Sequence, residues 1–111
     1  MVKSNPARLD SVFSALSDGT RRGILAQLAR EGASAVSDLS EPYSMTAPAI
    51  SKHLRVLEEA GLISRERRGR VRICRLNTRP LGGAQAWLDA MTAFWEGQLD
   101  ALGRFLADDD R

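Results

Sequence analysis

A chain of 111 residues that is 43% hydrophobic and 27% charged can build one compact core but not two, and it is no disordered or fibrous chain. No stretch reaches the roughly 18 apolar residues of a membrane span; residues 1–6 lack a signal-peptide run, and the single cysteine, Cys74, excludes an internal disulfide or a cysteine-cluster metal site, so a cytoplasmic protein is expected. The net charge of +2 is uneven, with residues 1–51 neutral, 52–79 at +6 and 80–111 at −4, which suggests a polyanion-binding segment beside an acidic one.

Leu9, Val12, Phe13 and Leu16 recur at spacings of three and four within 7–17 and mark one stripe of a first helix. Ser17, Asp18 and Gly19 break that pattern. Asp18 or Thr20 can cap a second helix with an apolar face of Ile24, Leu25 and Leu28, stopped by Gly32. A short third helix over 35–39 turns Val36 and Leu39 inward and ends at Glu41 and Pro42. Thr46 caps a fourth over 46–60, where Pro48 in the first turn loses no needed hydrogen bond. Its inner face is Ile50, Leu54 and Leu57; its outer face is Ala47, Pro48, Ser51, Lys52, Arg55 and Glu58; Gly61 stops it. Residues 62–66 and 72–77 read as strands joined by the turn Arg67-Arg68-Gly69-Arg70, a basic hairpin whose imperfect alternation leaves the facing of each residue open. After Pro80, Gly82 and Gly83, a last helix carries Trp87, Leu88, Met91, Phe94, Trp95, Leu99, Leu102, Phe105 and Leu106 on a wide stripe, and Asp108, Asp109 and Asp110 read as a solvated tail.

This order predicts a mainly α fold with a small β-hairpin wing, a winged helix-turn-helix of order α-α-α-α-β-β-α. It is a single domain over 1–111, with the helix-turn-helix at 35–60 and the wing at 62–77. Lys52 and Arg55 can donate to guanine edges or neutralise phosphates, and Ser51 can bond to either. Thr46 sits where free helix amides favour an anion, and small Ala47 and Pro48 allow close approach. Arg67, Arg68 and Arg70 suit phosphate contact or insertion into a minor groove, although the same cluster could be a solvated edge that discourages aggregation. His53 reads as a groove contact or a helix-packing residue, since a lone histidine makes no zinc site. Arg21 and Arg22 are open between phosphates and nearby acids such as Asp18, and Cys74 between packing in a half-buried strand and oxidative crosslinking. A monomer this small has little to cover the aromatic helix, so a subunit interface is expected of Leu9, Val12, Phe13, Leu16, Trp87, Leu88, Met91, Phe94, Trp95, Leu99 and Leu102. One histidine and one cysteine leave no nucleophile–base pair and no glycine-rich phosphate loop is present, so no enzyme is expected.

The stretch Leu16-Ser17-Asp18-Gly19-Thr20-Arg21-Arg22-Gly23-Ile24-Leu25, the stretch 44–63 (SMTAPAISKHLRVLEEAGLI) and the wing residues Arg75-Leu76-Asn77 resemble the ArsR/SmtB repressors, across nearly the whole chain. The resemblance implies a homodimer built from 7–17 and 81–107, a recognition helix at 46–60, and groove-facing Thr46, Ala47, Pro48, Ser51, Lys52 and His53. It further implies a sequence-specific repressor on a palindromic double-stranded DNA operator until a signal arrives. Where metal-sensing members place a cysteine pair, this chain reads Ala35-Val36-Ser37-Asp38-Leu39, and the last helix lacks paired histidines and acids, so neither metal nor cofactor is expected and an inducer stays unidentified. The competing reading is a protein-interaction module that uses the aromatic helix without specific DNA binding.

Overall fold

In the computed structural model, which describes residues 6–109, the chain runs α1 (Pro6–Leu16), α2 (Gly19–Glu31), β1 (Ser34–Ala35), α3 (Val36–Ser40), α4 (Ala47–Glu59), β2 (Ile63–Arg68), β3 (Val71–Leu76) and α5 (Leu81–Asp109). The signal-peptide reading of residues 1–5 and the tail reading of Asp110 fall outside the described residues. No helix among them is long and apolar enough to cross a membrane.

Local chemistry sets most boundaries. Asp18 caps α2, its Oδ1 accepting from the Arg21 amide at 3.1 Å, and Thr46 caps α4, its Oγ1 accepting from the Ala49 amide at 3.3 Å. At the other end of α4, Gly61 takes a φ of 76°, so that its amide reaches Glu58 O at 2.9 Å and the Leu62 amide reaches Leu57 O at 3.0 Å. That Schellman closure satisfies carbonyls the helix leaves over and places Leu62 against the core, with the wing beginning one residue later.

Residue 35, expected in the third helix, lies instead in β1, which pairs antiparallel with β3 through Ser34↔Cys74 and Ala35↔Ile73. The hairpin is therefore two strands of a three-stranded sheet ordered β1-β3-β2, a strand more than the expected order held. Two residues are too few for period-two alternation to show, and the pairing is set by β3, far away in sequence. The strands are also longer than expected: Arg67 and Arg68 belong to β2, and the turn is Gly69 and Arg70 alone, Gly69 at φ 60° suiting a two-residue hairpin turn. The register puts Ile63, Arg65, Arg67, Arg72, Cys74 and Leu76 on one face, and Ser64, Glu66, Arg68, Val71, Ile73 and Arg75 on the other. Cys74, expected to be half-buried, is 0% exposed, because β3 is the middle strand and its face meets the core.

The core is Ile24, Leu25, Leu28, Leu39, Ile50, Leu54, Leu57, Leu62 and Ile63, closed on one side by Ala15 of α1. Burying each large aliphatic side chain contributes about 1.5–3 kcal/mol. Gln27, also buried, donates from Nε2 to Asp38 O at 3.2 Å and so ties α2 to α3. Val12, expected at a subunit interface, is 1% exposed and lies in the chain's own interior, since α1 turns this residue inward; Leu16 is likewise partly buried against the core.

α5 differs from the rest. Phe13 and Trp87 meet edge to face with centroids 5.6 Å apart, which holds the near end of α5 against α1. Beyond it the helix continues through Asp108 and Asp109, expected as tail, with Trp95 and Leu99 each 60% exposed. The radius of gyration is 19.6 Å, where a compact chain of this length has about 13 Å, because this helix projects from the body.

Gly23 lies in the middle of α2, where glycine costs about 0.5–1 kcal/mol relative to alanine. It is required there because a Cβ would collide with the Tyr43 hydroxyl, which donates to Thr20 O at 3.4 Å. Without the hydroxyl, the nearest ring atom would stand at an ordinary 3.5 Å. Gly23→Ala is expected to lower stability by about 1–2 kcal/mol in the wild-type background, and to be neutral or stabilising in Tyr43→Phe. Urea unfolding of the four proteins checks this; an equal effect in both backgrounds would contradict the contact.

Candidate nucleic-acid interface

α4 divides cleanly between core and solvent. Ile50, Leu54 and Leu57 are buried, while Thr46, Ala47, Pro48, Lys52, Arg55 and Glu59 are exposed and Ser51 is half-buried beside them. Pro48, Lys52, Arg55 and Glu59 follow one another at spacings of four, three and four, so they form one outward row. The Thr46 hydroxyl spends an acceptor site on its cap and keeps its proton for an outside acceptor. Short groups at the start of the row and two long cations after it give a helix face that can approach a duplex closely and donate to it.

His53 does not join that row. Its side chain is 18% exposed, and its Nδ1 lies 3.1 Å from Arg21 Nη1 and 3.9 Å from Asp18 Oδ1. Of the two expectations for His53, this geometry fits helix packing: the ring sits on the flank of α4 that faces the start of α2. Arg21 also donates from Nε to Ala15 O at 2.8 Å and from Nη2 to Ser14 O at 3.1 Å, and Arg22 donates to Leu16 O at 2.7 Å. Both arginines thus serve the carbonyls at the end of α1, where a cation also suits the helix dipole. The carboxylate of Asp18 is held below its usual range, chiefly by the Arg21 amide.

The wing joins α4 through one ion pair. Arg65, opposite Cys74 on the inner face, donates from Nε at 3.3 Å and Nη2 at 2.9 Å to Glu58 Oε1. This bond is the main cause that lowers the Glu58 pKa and raises that of Arg65. On the outer face Glu66 accepts from Arg75 at 2.9 Å and lies 3.3 Å from Arg68, so Arg68, one of the three expected wing contacts, shares its charge with a carboxylate. Arg67 donates to Gly69 O at 3.2 Å, stiffening the tip, and Arg70 has no partner among the described residues.

Register brings out a feature that the sequence alone hid. Arg67 and Arg72 stand directly opposite each other on one face of the hairpin, both exposed. Like charges in that relation destabilise a sheet unless an anion lies between them. Arg72 was not singled out from sequence because its partner could not be known without the turn length. Cys74, by contrast, is inert packing: burial pushes its thiol pKa up. Among the described residues no group of three or more His, Cys, Asp or Glu could hold a metal ion.

Residues 18–65 match the sequence profile of a family described as bacterial regulatory protein, arsR family. The chain is similar to the transcriptional repressor SdpR of Bacillus subtilis, at 38% identity over 72% of this chain and 88% of the relative. Among solved structures, an ArsR-like transcriptional regulator from a Rhodococcus species superposes with a TM-score of 0.73 at 34% identity, covering 89% of this chain and 92% of that one. A homodimeric winged helix-turn-helix DNA-binding domain from Mycobacterium bovis shares the fold, with a TM-score of 0.63 at 24% identity over 85% of this chain and 94% of that one.

The bond between Glu58 and Arg65 has a pH signature. A carboxylate whose folded pKa is depressed stabilises the fold above its ordinary value, near 4.5, and loses that contribution as pH falls through the lower folded value. Glu58 is 39% exposed, so the effect stays below about 1 kcal/mol. Glu58→Gln is expected to be slightly less stable than wild type at neutral pH and equal to it in strong acid. Thermal unfolding of both across that range tests the sign; a difference that grows on acidification would refute it.

Proposed function

The chain belongs to the ArsR family of bacterial regulatory proteins, and on that footing we propose that it is a transcriptional regulator. In this reading it binds double-stranded DNA sequence-specifically as a homodimer and represses from a palindromic operator in the cytoplasm. The family is described as bacterial regulatory proteins, and the relative SdpR is a transcriptional repressor. The observation that carries the reading is the exposed cationic face: Lys52 and Arg55 on α4, and Arg67 opposite Arg72 with Arg70 at the tip of the wing. Charges held in mutual repulsion on a protein surface await a polyanion. In this proposal Thr46, Ala47, Pro48, Ser51, Lys52 and Arg55 read the major groove, and Arg67, Arg68, Arg70 and Arg72 hold phosphates or enter the adjacent minor groove.

The homodimer is supported by the unpartnered stripe of α5. Trp87, Leu88, Met91, Phe94, Trp95, Leu99 and Leu102 lie along one side of the helix and, Met91 apart, are about half or more exposed. A soluble chain rarely leaves so continuous an apolar surface to water. A second copy pairing 81–107, with Leu9 and Phe13 of α1 at the seam, would cover it and set two α4 helices for half-sites about one helical turn apart. The Mycobacterium bovis domain that shares this fold is homodimeric, which supports the same arrangement. The signal that would release the operator is open, and α3 offers no thiol for a metal.

Lys52→Ala with Arg55→Ala is expected to leave the dimer intact by ultracentrifugation while weakening binding to duplexes selected from a random pool by about 10- to 100-fold. Arg67→Ala with Arg72→Ala should weaken selected and unrelated duplexes alike and flatten the salt dependence by about two ions per subunit, or about four for the dimer. Unchanged affinity in both variants, or binding indifferent to salt, would sink the reading and favour a protein-interaction module.

A further inference from the structure

Ile50, Leu54 and Leu57 fix which face of α4 turns inward, but the apolar attraction that buries them is itself non-directional. A hydrogen bond from a planar, fully charged donor is directional, and the described structure places two on this helix, Arg65 on Glu58 near its end and Arg21 on the flank at His53. Arg21 spreads its guanidinium over three acceptors belonging to two other elements: the carbonyls of Ser14 and Ala15 at the end of α1, and Nδ1 of His53 on α4. The two carbonyl bonds fix the plane of the fork. Because arginine cannot act as acceptor, the third bond requires His53 to be neutral at Nδ1, with its proton on Nε2. Asp18 faces the same spot at 3.9 Å, but its Oδ1 accepts from the Arg21 amide.

We propose that Arg21 is a positioning residue for DNA reading: through His53 it sets the rotation of α4, and so the direction in which Lys52 and Arg55 leave the protein. His53 follows Lys52 directly and precedes Arg55 by two, so a turn of the ring's anchor point carries both cations with it. Base-edge contacts demand a donor placed to within a fraction of an ångström, whereas phosphate contacts tolerate slack. Loosening the anchor therefore costs discrimination between sequences more than it costs overall attraction to DNA. This inference rests on the DNA-binding reading above.

The test compares two replacements of His53. His53→Asn keeps an acceptor close to the position of Nδ1, while His53→Leu keeps bulk and removes the acceptor; neither disturbs the bonds from Arg21 to Ser14 and Ala15. On duplexes selected by the wild-type protein, His53→Leu is expected to lose about tenfold in affinity, a factor in line with one charge-assisted hydrogen bond, and His53→Asn to stay within about threefold. Affinity for unrelated duplexes should change little in either. Arg21→Lys, which keeps the charge but not the fork, should show the same loss, with no further loss in the double variant with His53→Leu. In the wild type, nitrogen NMR of the imidazole should show Nδ1 without a proton at neutral pH. Equal affinities for His53→Asn and His53→Leu would overturn the inference: both unchanged would mean that the bond positions nothing, and both weakened would mean that the ring itself touches DNA. A wild-type protein that selects no duplex would instead end the DNA-binding reading, and this inference with it.

Discussion

One helix has to live in two solvents. α4 drives Ile50, Leu54 and Leu57 into a shared core and keeps Lys52 and Arg55 in water, and the other elements around it serve that division. α1 and α2 supply the wall it packs on and β2 closes the far side, while Leu39 of α3 and Cys74 of β3 join the same core. Both ends are fastened by backbone chemistry rather than by packing alone, with the Thr46 cap at the start and the Gly61 closure at the finish. Because the closure leads straight into Leu62 and β2, the direction of the wing is coupled to the end of the helix, and the pair Glu58–Arg65 makes the coupling electrostatic as well.

The distribution of carboxylates shows which cations are structural. Arg65 and Arg75 are held by Glu58 and Glu66, Arg68 shares Glu66, and Arg21 and Arg22 are spent on the carbonyls of α1. Among the described residues of the segment 52–79, Lys52, Arg67, Arg70, Arg72 and Arg79 are exposed without a carboxylate bonded to them, and Arg55 feels Glu58 only at a distance. A basic segment of net charge +6 is thus sorted by geometry into a framework and a presenting surface. The presenting surface concentrates like charge, the electrostatic condition on which the proposed DNA-binding reading rests.

α5 carries a second, independent incompleteness. The edge-to-face contact of Phe13 with Trp87 secures its beginning, and beyond that the helix has no wall of its own chain against its stripe. The body built from residues 6–80 leaves uncovered the stripe of a 29-residue helix that projects from it. The surface that presents charge and the surface that presents hydrocarbon are therefore on different elements, so that covering one need not obstruct the other.

Much of this was legible from residues alone, where the signal is local. The stripe of α4, its Thr46 cap and Gly61 stop, the Asp18 cap of α2, the basic hairpin and the stripe of α5 are all written at spacings of two to four residues, within reach of one turn or one hairpin. What eluded the sequence was set by partners far along the chain. β1 exists only because Ser34 and Ala35 meet β3; Val12 is interior only because of what covers it; the opposition of Arg67 and Arg72 follows from a turn shortened to two residues. His53 stood open between groove contact and packing, and the fold sets it against Arg21, since a side chain on the flank of a helix belongs to core or solvent according to what packs beside it. The sequence by itself determined the elements and their amphipathic faces, because these follow from periodicity and capping; tertiary structure alone decided which polar groups are paired and which are presented, because pairing depends on distances between residues that no local pattern records.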